Sequence, residues 1–317
     1  MERKRIKVIK ENIAKVIVGK EMVVDLLLTA LLANGHVLID DVPGMGKTKL
    51  ANTLARSMGT SFKRIQFTPD LQPSDITGIY YYNQKDGDFI FRPGPILTNI
   101  VLADEINRAV PRTQASLLEA MEERQVTVEG YIYPIEAPFM VIATQNPIEQ
   151  EGTFPLPEAQ LDRFLLKLEM GYPVGVEELE ILKRFKKGDP LTEIEPVIQA
   201  ADIVKLREEV KGVEITEDLL KYITKLAVAS RENDKLRLGL SPRGSLAIMK
   251  ASLAYAYIQG RDYVLPDDIK YLFPYVIKHR LILSYDSELR EVNKDEIVNE
   301  ILKKVEVPVE GVINARE

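Results

Sequence analysis

The chain has 317 residues, 45% hydrophobic and 28% charged, a balance that fits one or two globular domains and excludes a disordered or fibrous protein. A net charge of −6 and a pI near 5.4 argue against a dedicated nucleic-acid binder, because phosphate neutralisation requires clustered Lys and Arg. With no cysteine and two histidines, His36 and His279, the composition excludes a disulfide framework and a thiolate zinc site, and it points to a reducing, cytoplasmic setting.

The basic start MERKRIKVIK is followed by Glu11 and Asn12 rather than by an apolar core and a cleavage site, so it reads as a helix and not as a signal peptide. IVGKE at 17–21 separates it from MVVDLLLTALLANG, which is too short to cross a bilayer and carries Asp25. This second segment reads as a buried helix ending near Gly35, and no membrane span is expected.

HVLIDDVPGMGKTKL, residues 36–50, organises the rest. Val37, Leu38 and Ile39 form the unbroken apolar run of a strand buried on both faces of a parallel sheet, and Leu50, Leu54 and Met58 then recur at helical spacing as far as a stop at Gly59. The glycine turn between this strand and helix reads as a phosphate-binding loop, the plainer alternative being a simple turn that joins a core strand to a helix. Gly44 and Gly46 leave backbone N–H groups free to surround a polyphosphate, Lys47 can reach its terminal phosphates, and the Thr48 hydroxyl can hold Mg²⁺. Pro43, Met45 and Lys49 complete the nucleotide-binding stretch. Asp41 stands where the pattern Gly-x-x-x-x-Gly-Lys-Ser/Thr has its first glycine.

Further on, IYYY and FIF flank Asp86-Gly87 and predict a hairpin, with Tyr80, Tyr82, Phe89 and Phe91 expected chiefly to pack. A second apolar strand, Ile100 to Leu102, ends in Asp104-Glu105. At the carboxyl edge of a parallel sheet Asp104 could hold Mg²⁺ through water and Glu105 could polarise an attacking water; alone, such a pair would read as a solvated acidic turn. Pro111 opens a helix with Leu117, Leu118 and Met121 on one face, and QVTV and YIYPI about Glu129-Gly130 predict a second hairpin. A third strand, FMVIATQNP, ends in Gln145 and Asn146, where an amide can orient a water or merely begin a turn before Pro147.

PEAQLDRFLLKLEM reads as a helical run in which Arg163 beside Asp162 is by default an ion pair. Around residues 171–196 the texture changes, which sets a boundary between domains 1–190 and 191–317. The second domain reads as all helical: Leu219, Leu220, Ile223 and Leu226 mark one helix, Leu246, Met249, Leu253 and Tyr257 another, and Pro266 opens a third with Ile269, Leu272, Phe273 and Val276 buried.

Taken in order, VPGMGKT, VLADEINRA, ATQNP, QLDRF and LSPRG resemble the functional motifs of AAA+ ATPases, and LADEINRAVPRTQASLLEAMEERQVTVEG resembles the MoxR family in particular. The resemblance implies an α/β P-loop NTPase fold, an αβα parallel-sheet domain followed by a helical lid, and Mg²⁺-dependent ATP hydrolysis. It assigns Lys47 and Thr48 to Walker A, Asp104 and Glu105 to Walker B, Asn146 to sensor 1, Arg163 to the arginine finger and Arg243 to sensor 2. Val18 and Gly19 match the segment lining the adenine pocket, and the two hairpins match the inserts of this clade. The implied assembly is a homo-oligomeric ring, a hexamer, and the implied partners are protein clients with von Willebrand A domains, remodelled in a chaperone-like way. The same inserts occur in the magnesium-chelatase ATPase subunit and the replicative helicase clade. Against a nucleic-acid motor stands segment 69–95, whose basic residues are Lys85 and Arg92 against Asp70, Asp75, Asp86 and Asp88. Against a non-hydrolysing switch stands the intact set Lys47, Asp104, Glu105, Asn146 and Arg163.

Overall fold

The structure is a computed structural model and describes residues 3–146 and 152–308; Pro147 and residues 309–317 lie outside the described residues. The chain divides into two compact units, 1–209 and 210–317. Residues 191–209, which the sequence reading places in the second domain, fall in the first unit. There Val197 N–H donates to the Ser57 carbonyl at 2.9 Å, the Asn12 amide to the Glu195 carbonyl at 3.0 Å and Arg207 to the Leu31 carbonyl at 2.8 Å.

In the first unit α1 (Arg3–Ala14) and α2 (Glu21–Leu32) precede β1 (Val37–Asp40), α3 (Lys47–Ser57) and β2 (Phe62–Gln66). A short α4 (Pro73–Thr77) leads into the hairpin β3 (Gly78–Asn83) and β4 (Asp88–Pro93). Then come β5 (Ile100–Asp104), α5 (Pro111–Glu123), the hairpin β6 (Gln125–Val128) and β7 (Tyr131–Pro134), β8 (Met140–Gln145), α6 (Glu158–Leu161), β9 (Leu166–Leu168), α7 (Gly175–Lys186) and α8 (Ala200–Val210). The central sheet is parallel with strand order β2-β5-β8-β1-β9.

That order fixes where a ligand can sit. From β1 the chain crosses to β2 at one edge, while β8 lies beside β1, so the carboxyl ends of β1, β8 and β5 stand side by side at the switch in connection direction. The central strands are apolar because helices cover both faces: every residue of β5 is buried, as are Val37, Leu38 and Ile39 of β1. α2 is the buried helix expected, with Leu26, Leu27, Leu28 and Leu31 fully enclosed, and its left-handed exit falls on Asn34. Gly35 serves a different end, since a Cβ there would stand 2.6 Å from the Leu165 side chain.

Two strands escape the apolar pattern. β2, sequence FKRIQ, is an edge strand whose Arg64 and Gln66 share one face, and Leu166–Leu168, read as part of a helical run, is instead β9, paired with β1. The helical run itself shrinks to α6, four residues long.

Both predicted hairpins form. β3 pairs antiparallel with β4 in the register Tyr80↔Phe91 and Tyr82↔Phe89, and β6 with β7 around Glu129 and Gly130, both at positive φ as a two-residue turn requires. The aromatics divide: Phe91 stacks on Tyr133 at 4.0 Å between ring centroids and Tyr80 reaches Tyr131, joining the hairpins, whereas Tyr82, Phe89, Tyr131 and Ile132 are exposed.

The second unit packs α9 (Glu217–Arg231), α10 (Pro242–Ile258), α11 (Pro266–Ile277) and α13 (Lys294–Lys304) against one another, and adds a short α12 (Tyr285–Leu289) and a short antiparallel pair, β10 (Leu236–Leu238) with β11 (Ile282–Leu283). α11 buries Ile269, Leu272, Phe273 and Val276 as its spacing predicts. In α10 the buried face is carried by Ala247, Ile248, Ala251 and Ala254 while Leu246 is exposed, because close approach of α10 to α11 selects small side chains.

Candidate functional site

From Asp40 the chain enters the 41–46 loop. Gly44 and Gly46 have φ of 87° and 82°, and nothing lies within 4 Å of where a Cβ would stand at either, so conformation rather than crowding selects glycine. Gly46 caps α3 without a side-chain hydrogen bond, leaving the first amides of that helix to an external acceptor at its positive end. Lys47 is buried and its Nζ donates across the loop to the Asp41 carbonyl at 2.7 Å.

Asp41 lies outside the left-handed region, so the backbone makes no demand for glycine there. Its carboxylate is a strut. Oδ1 accepts from Val42 N–H at 2.8 Å, and Oδ2 accepts from the N–H groups of Met170 at 2.8 Å and Gly171 at 3.0 Å. Lys20 donates to the carbonyls of Met170, Gly171 and Tyr172 at 2.9, 3.0 and 3.3 Å. The Val18-Gly19 segment is thereby connected to the loop through the 170–172 turn. At Gly19, φ is 67° and a Cβ would meet the Glu177 carboxylate at 2.0 Å, so glycine is required there too.

At the end of β5, Asp104 is buried. Its Oδ1 accepts from the Thr144 hydroxyl at 2.6 Å, and its Oδ2 from Arg64 Nε at 2.9 Å and Nη2 at 2.7 Å. Glu105 has φ 57° and ψ 49°, a costly left-handed conformation for this residue type, and its N–H donates to Thr144 Oγ1 at 2.8 Å. Its Oε2 accepts from Gln66 Nε2 at 2.8 Å and faces Arg108 Nε at 3.1 Å. Asn146 follows the end of β8 and is buried.

One cleft is lined by Pro43 to Lys49, Arg64, Asp104, Glu105 and Asn146. The structure thus gathers ten of the candidate residues and adds Arg64. Lys49 also pairs with Asp189 at 2.6 Å, and this hydrogen bond holds Asp189 below the usual carboxylate range. Arg163 does not line the cleft. It sits in the turn between α6 and β9 rather than within a helical run, partly buried, and its Nη1 donates to the Leu118 carbonyl at 2.6 Å. Arg243 is the second residue of α10 in the second unit and is exposed. Arg64, Gln66 and Thr144 are absent from the sequence-derived set. Their signals were a polar pair at i, i+2 in a strand beside Asp104 and a buried hydroxyl one step before the terminal amide.

A glycine loop between a buried parallel strand and a helix, with an Asp-Glu pair at the end of a neighbouring strand, defines the class of P-loop ATPases. Residues 36–166 match the family model described as "ATPase family associated with various cellular activities (AAA)", and 228–301 match the AAA lid domain. YeaC of Bacillus subtilis (strain 168) is 53% identical over 95% of this chain and 94% of its own length. The chaperone MoxR1 of Mycobacterium tuberculosis is 41% identical over 94% of this chain and 81% of its own. The crystal structure of a candidate ATPase from Cytophaga hutchinsonii superposes with a TM-score of 0.92 at 40% identity, covering 97% of this chain and 96% of that one. The chain belongs to the MoxR family of AAA+ ATPases.

Proposed function

We propose that the chain hydrolyses ATP with Mg²⁺ in the cleft at the carboxyl ends of β1, β8 and β5, and uses that free energy to remodel protein clients in a chaperone-like way. The observation that carries this reading is the convergence of the 43–49 loop, Asp104, Glu105 and Asn146 on one cleft. The free amides of α3 and the loop would cradle the polyphosphate, and Lys47 would exchange the Asp41 carbonyl for phosphate oxygens. Glu105, held in a strained backbone by Thr144, would accept a proton from the attacking water that Asn146 orients.

The residues present fit Mg²⁺. Among the described residues no group of three or more His, Cys, Asp or Glu could cage an ion, whereas the Thr48 hydroxyl and the Asp104 carboxylate on one cleft are the sparse oxygen donors Mg²⁺ takes alongside phosphates. When bound, the ion would neutralise charge on the transferring phosphoryl group.

A homo-oligomeric ring, a hexamer, is part of this reading, with Arg163 completing a neighbour's site and Arg243 sensing nucleotide from the lid. Support for a protein client rather than a nucleic acid comes from the exposed Tyr82, Phe89, Tyr131 and Ile132 on hairpins poor in Lys and Arg. Clients with von Willebrand A domains and a cytoplasmic site of action complete the proposal; among the described residues no helix is long and apolar enough to cross a membrane.

The test separates binding from chemistry. Lys47→Ala is expected to weaken binding of a non-hydrolysable ATP analogue by tenfold or more, on the order of 1.4 kcal/mol, and Glu105→Gln to bind it normally while releasing no phosphate. Near wild-type hydrolysis by Glu105→Gln overturns the assignment.

A further inference from the structure

We propose that Arg64 is the resident counter-ion of Asp104 and sets the divalent-cation requirement of nucleotide binding, an inference that rests on the ATPase reading above. β2 lies against β5 in the register Arg64↔Leu102 and Gln66↔Asp104, which brings the Arg64 side chain alongside the end of β5. Its guanidinium gives two N–H groups to a single oxygen, Asp104 Oδ2, while Oδ1 is held by Thr144. A carboxylate oxygen offers about two lone-pair directions, and Oδ2 has both filled.

The Asp104 carboxylate is therefore presented to the cleft already neutralised. For Oδ2 to accept a water carried by a cation, Arg64 has to give up at least one of its two hydrogen bonds. The Asp104 side chain is 12% exposed and fixed, whereas that of Arg64 is 47% exposed, so the arginine is the member of the pair free to turn. Gln66 couples the arrangement to the neighbouring carboxylate: Arg64 Nη2 donates to Gln66 Oε1, and Gln66 Nε2 donates to Glu105 Oε2. When Arg64 leaves Oδ2, the partner that orients the Gln66 amide moves with it. The consequence is a competition between a positive charge tethered to the chain and a diffusible one for the same oxygen, with Arg64 a positioning residue for both carboxylates.

The experiment uses the full chain and a fluorescent non-hydrolysable ATP analogue, titrated with Mg²⁺ at fixed nucleotide and, separately, titrated as nucleotide in EDTA. Arg64→Ala and Arg64→Gln, both neutral, are expected to lower the half-saturating Mg²⁺ concentration by about threefold or more, the scale of a partly exposed ion pair. Nucleotide affinity in EDTA is expected to stay within about twofold of wild type. Arg64→Lys, which keeps the charge, is expected to stay near wild type in its Mg²⁺ requirement. The Gln variant, which retains hydrogen bonding, guards against a folding defect in the Ala variant, and thermal melts without Mg²⁺ check both. An unchanged or raised Mg²⁺ requirement in the neutral variants overturns the proposal. So does an equal loss of nucleotide affinity with and without Mg²⁺, which would make Arg64 a phosphate ligand. Failure of the wild-type chain to bind nucleotide at all removes the ATPase reading itself, and this inference with it.

Discussion

The carboxylate of Asp41 accepts the backbone N–H of Met170 at 2.8 Å, tying the start of the phosphate loop to a turn well over a hundred residues later in the chain. Asp41 takes two further N–H groups, from Gly171 and Val42, so the position that departs from the loop pattern is a structural anchor. Asp41→Gly would restore that pattern yet free the loop. The variant is expected to lose about 1–3 kcal/mol of stability in urea, the scale of stranded buried donors, and to bind nucleotide more weakly than wild type. Tighter binding by Asp41→Gly would mean that the glycine pattern, and not the anchor, governs the loop.

Thr144 holds two groups at once. Its hydroxyl donates to Asp104 Oδ1 and accepts from Glu105 N–H, at 2.6 and 2.8 Å, and the side chain is fully buried. Thr144→Val keeps the shape and strands both partners, which costs about 1–3 kcal/mol. Because Glu105 sits in a left-handed conformation that this bond helps to hold, kcat is expected to fall more than KM rises. A variant with wild-type kcat and reduced stability would confine Thr144 to a packing role.

His36 gives the stability a pH dependence of its own. Burial, and secondarily the Arg124 charge, lowers its pKa from 6.5 to about 3, and both ring nitrogens are engaged, Nε2 with the Met121 carbonyl and Nδ1 with Val141 N–H. The folded imidazole is neutral with Nε2 as donor. Between about pH 6.5 and 3 the unfolded chain binds the proton and the folded chain does not, so stability falls as the pH falls through this window. The loss attributable to His36 approaches about 1.4 kcal/mol per pH unit below pH 6. His36→Asn is expected to be less stable at pH 7.5 and to show a flatter decline with acid; parallel stability curves for the two proteins would remove the assignment.

Periodicity made most of the sheet legible. β1, β5 and β8 announce themselves because strands covered on both faces must be apolar throughout, and both hairpins are marked by their turn residues. β2 and β9 were hidden for the same physical reason inverted: edge strands tolerate charge, so FKRIQ and LKL carry no apolar run, and LKL merged with the helix-like spacing before it. Within the cleft, residues singled out by their chemistry were legible, whereas Arg64, Gln66 and Thr144 acquire significance only from strand register. That Gln66 stands opposite Asp104 is a fact of pairing between β2 and β5, which no local pattern encodes.

The last prediction concerns Arg163 and the ring. Its guanidinium is fixed by the Leu118 carbonyl at 2.6 Å, and the residue is not part of its own chain's cleft. An arginine so placed serves either to brace α5 or to reach a nucleotide on another subunit. In the second case Arg163→Ala removes stabilisation of charge on the γ-phosphate, an effect on the order of a thousandfold in rate. Arg163→Ala subunits would still own complete phosphate loops and bind ATP, while Lys47→Ala subunits would still own the arginine. Mixing the two then creates interfaces that pair an intact loop with an intact arginine, and partial hydrolysis is expected to return although each variant alone is nearly inactive. Subunit exchange is confirmed by sizing differently tagged variants before the assay. The bracing role predicts a different pattern: Arg163→Ala less stable by about 1 kcal/mol, nearly fully active alone, and no gain on mixing. An Arg163 acting on its own subunit's nucleotide predicts no recovery at any ratio. Absence of recovery in demonstrably mixed assemblies therefore removes the trans role of Arg163, and with it the strongest mechanistic reason for the ring.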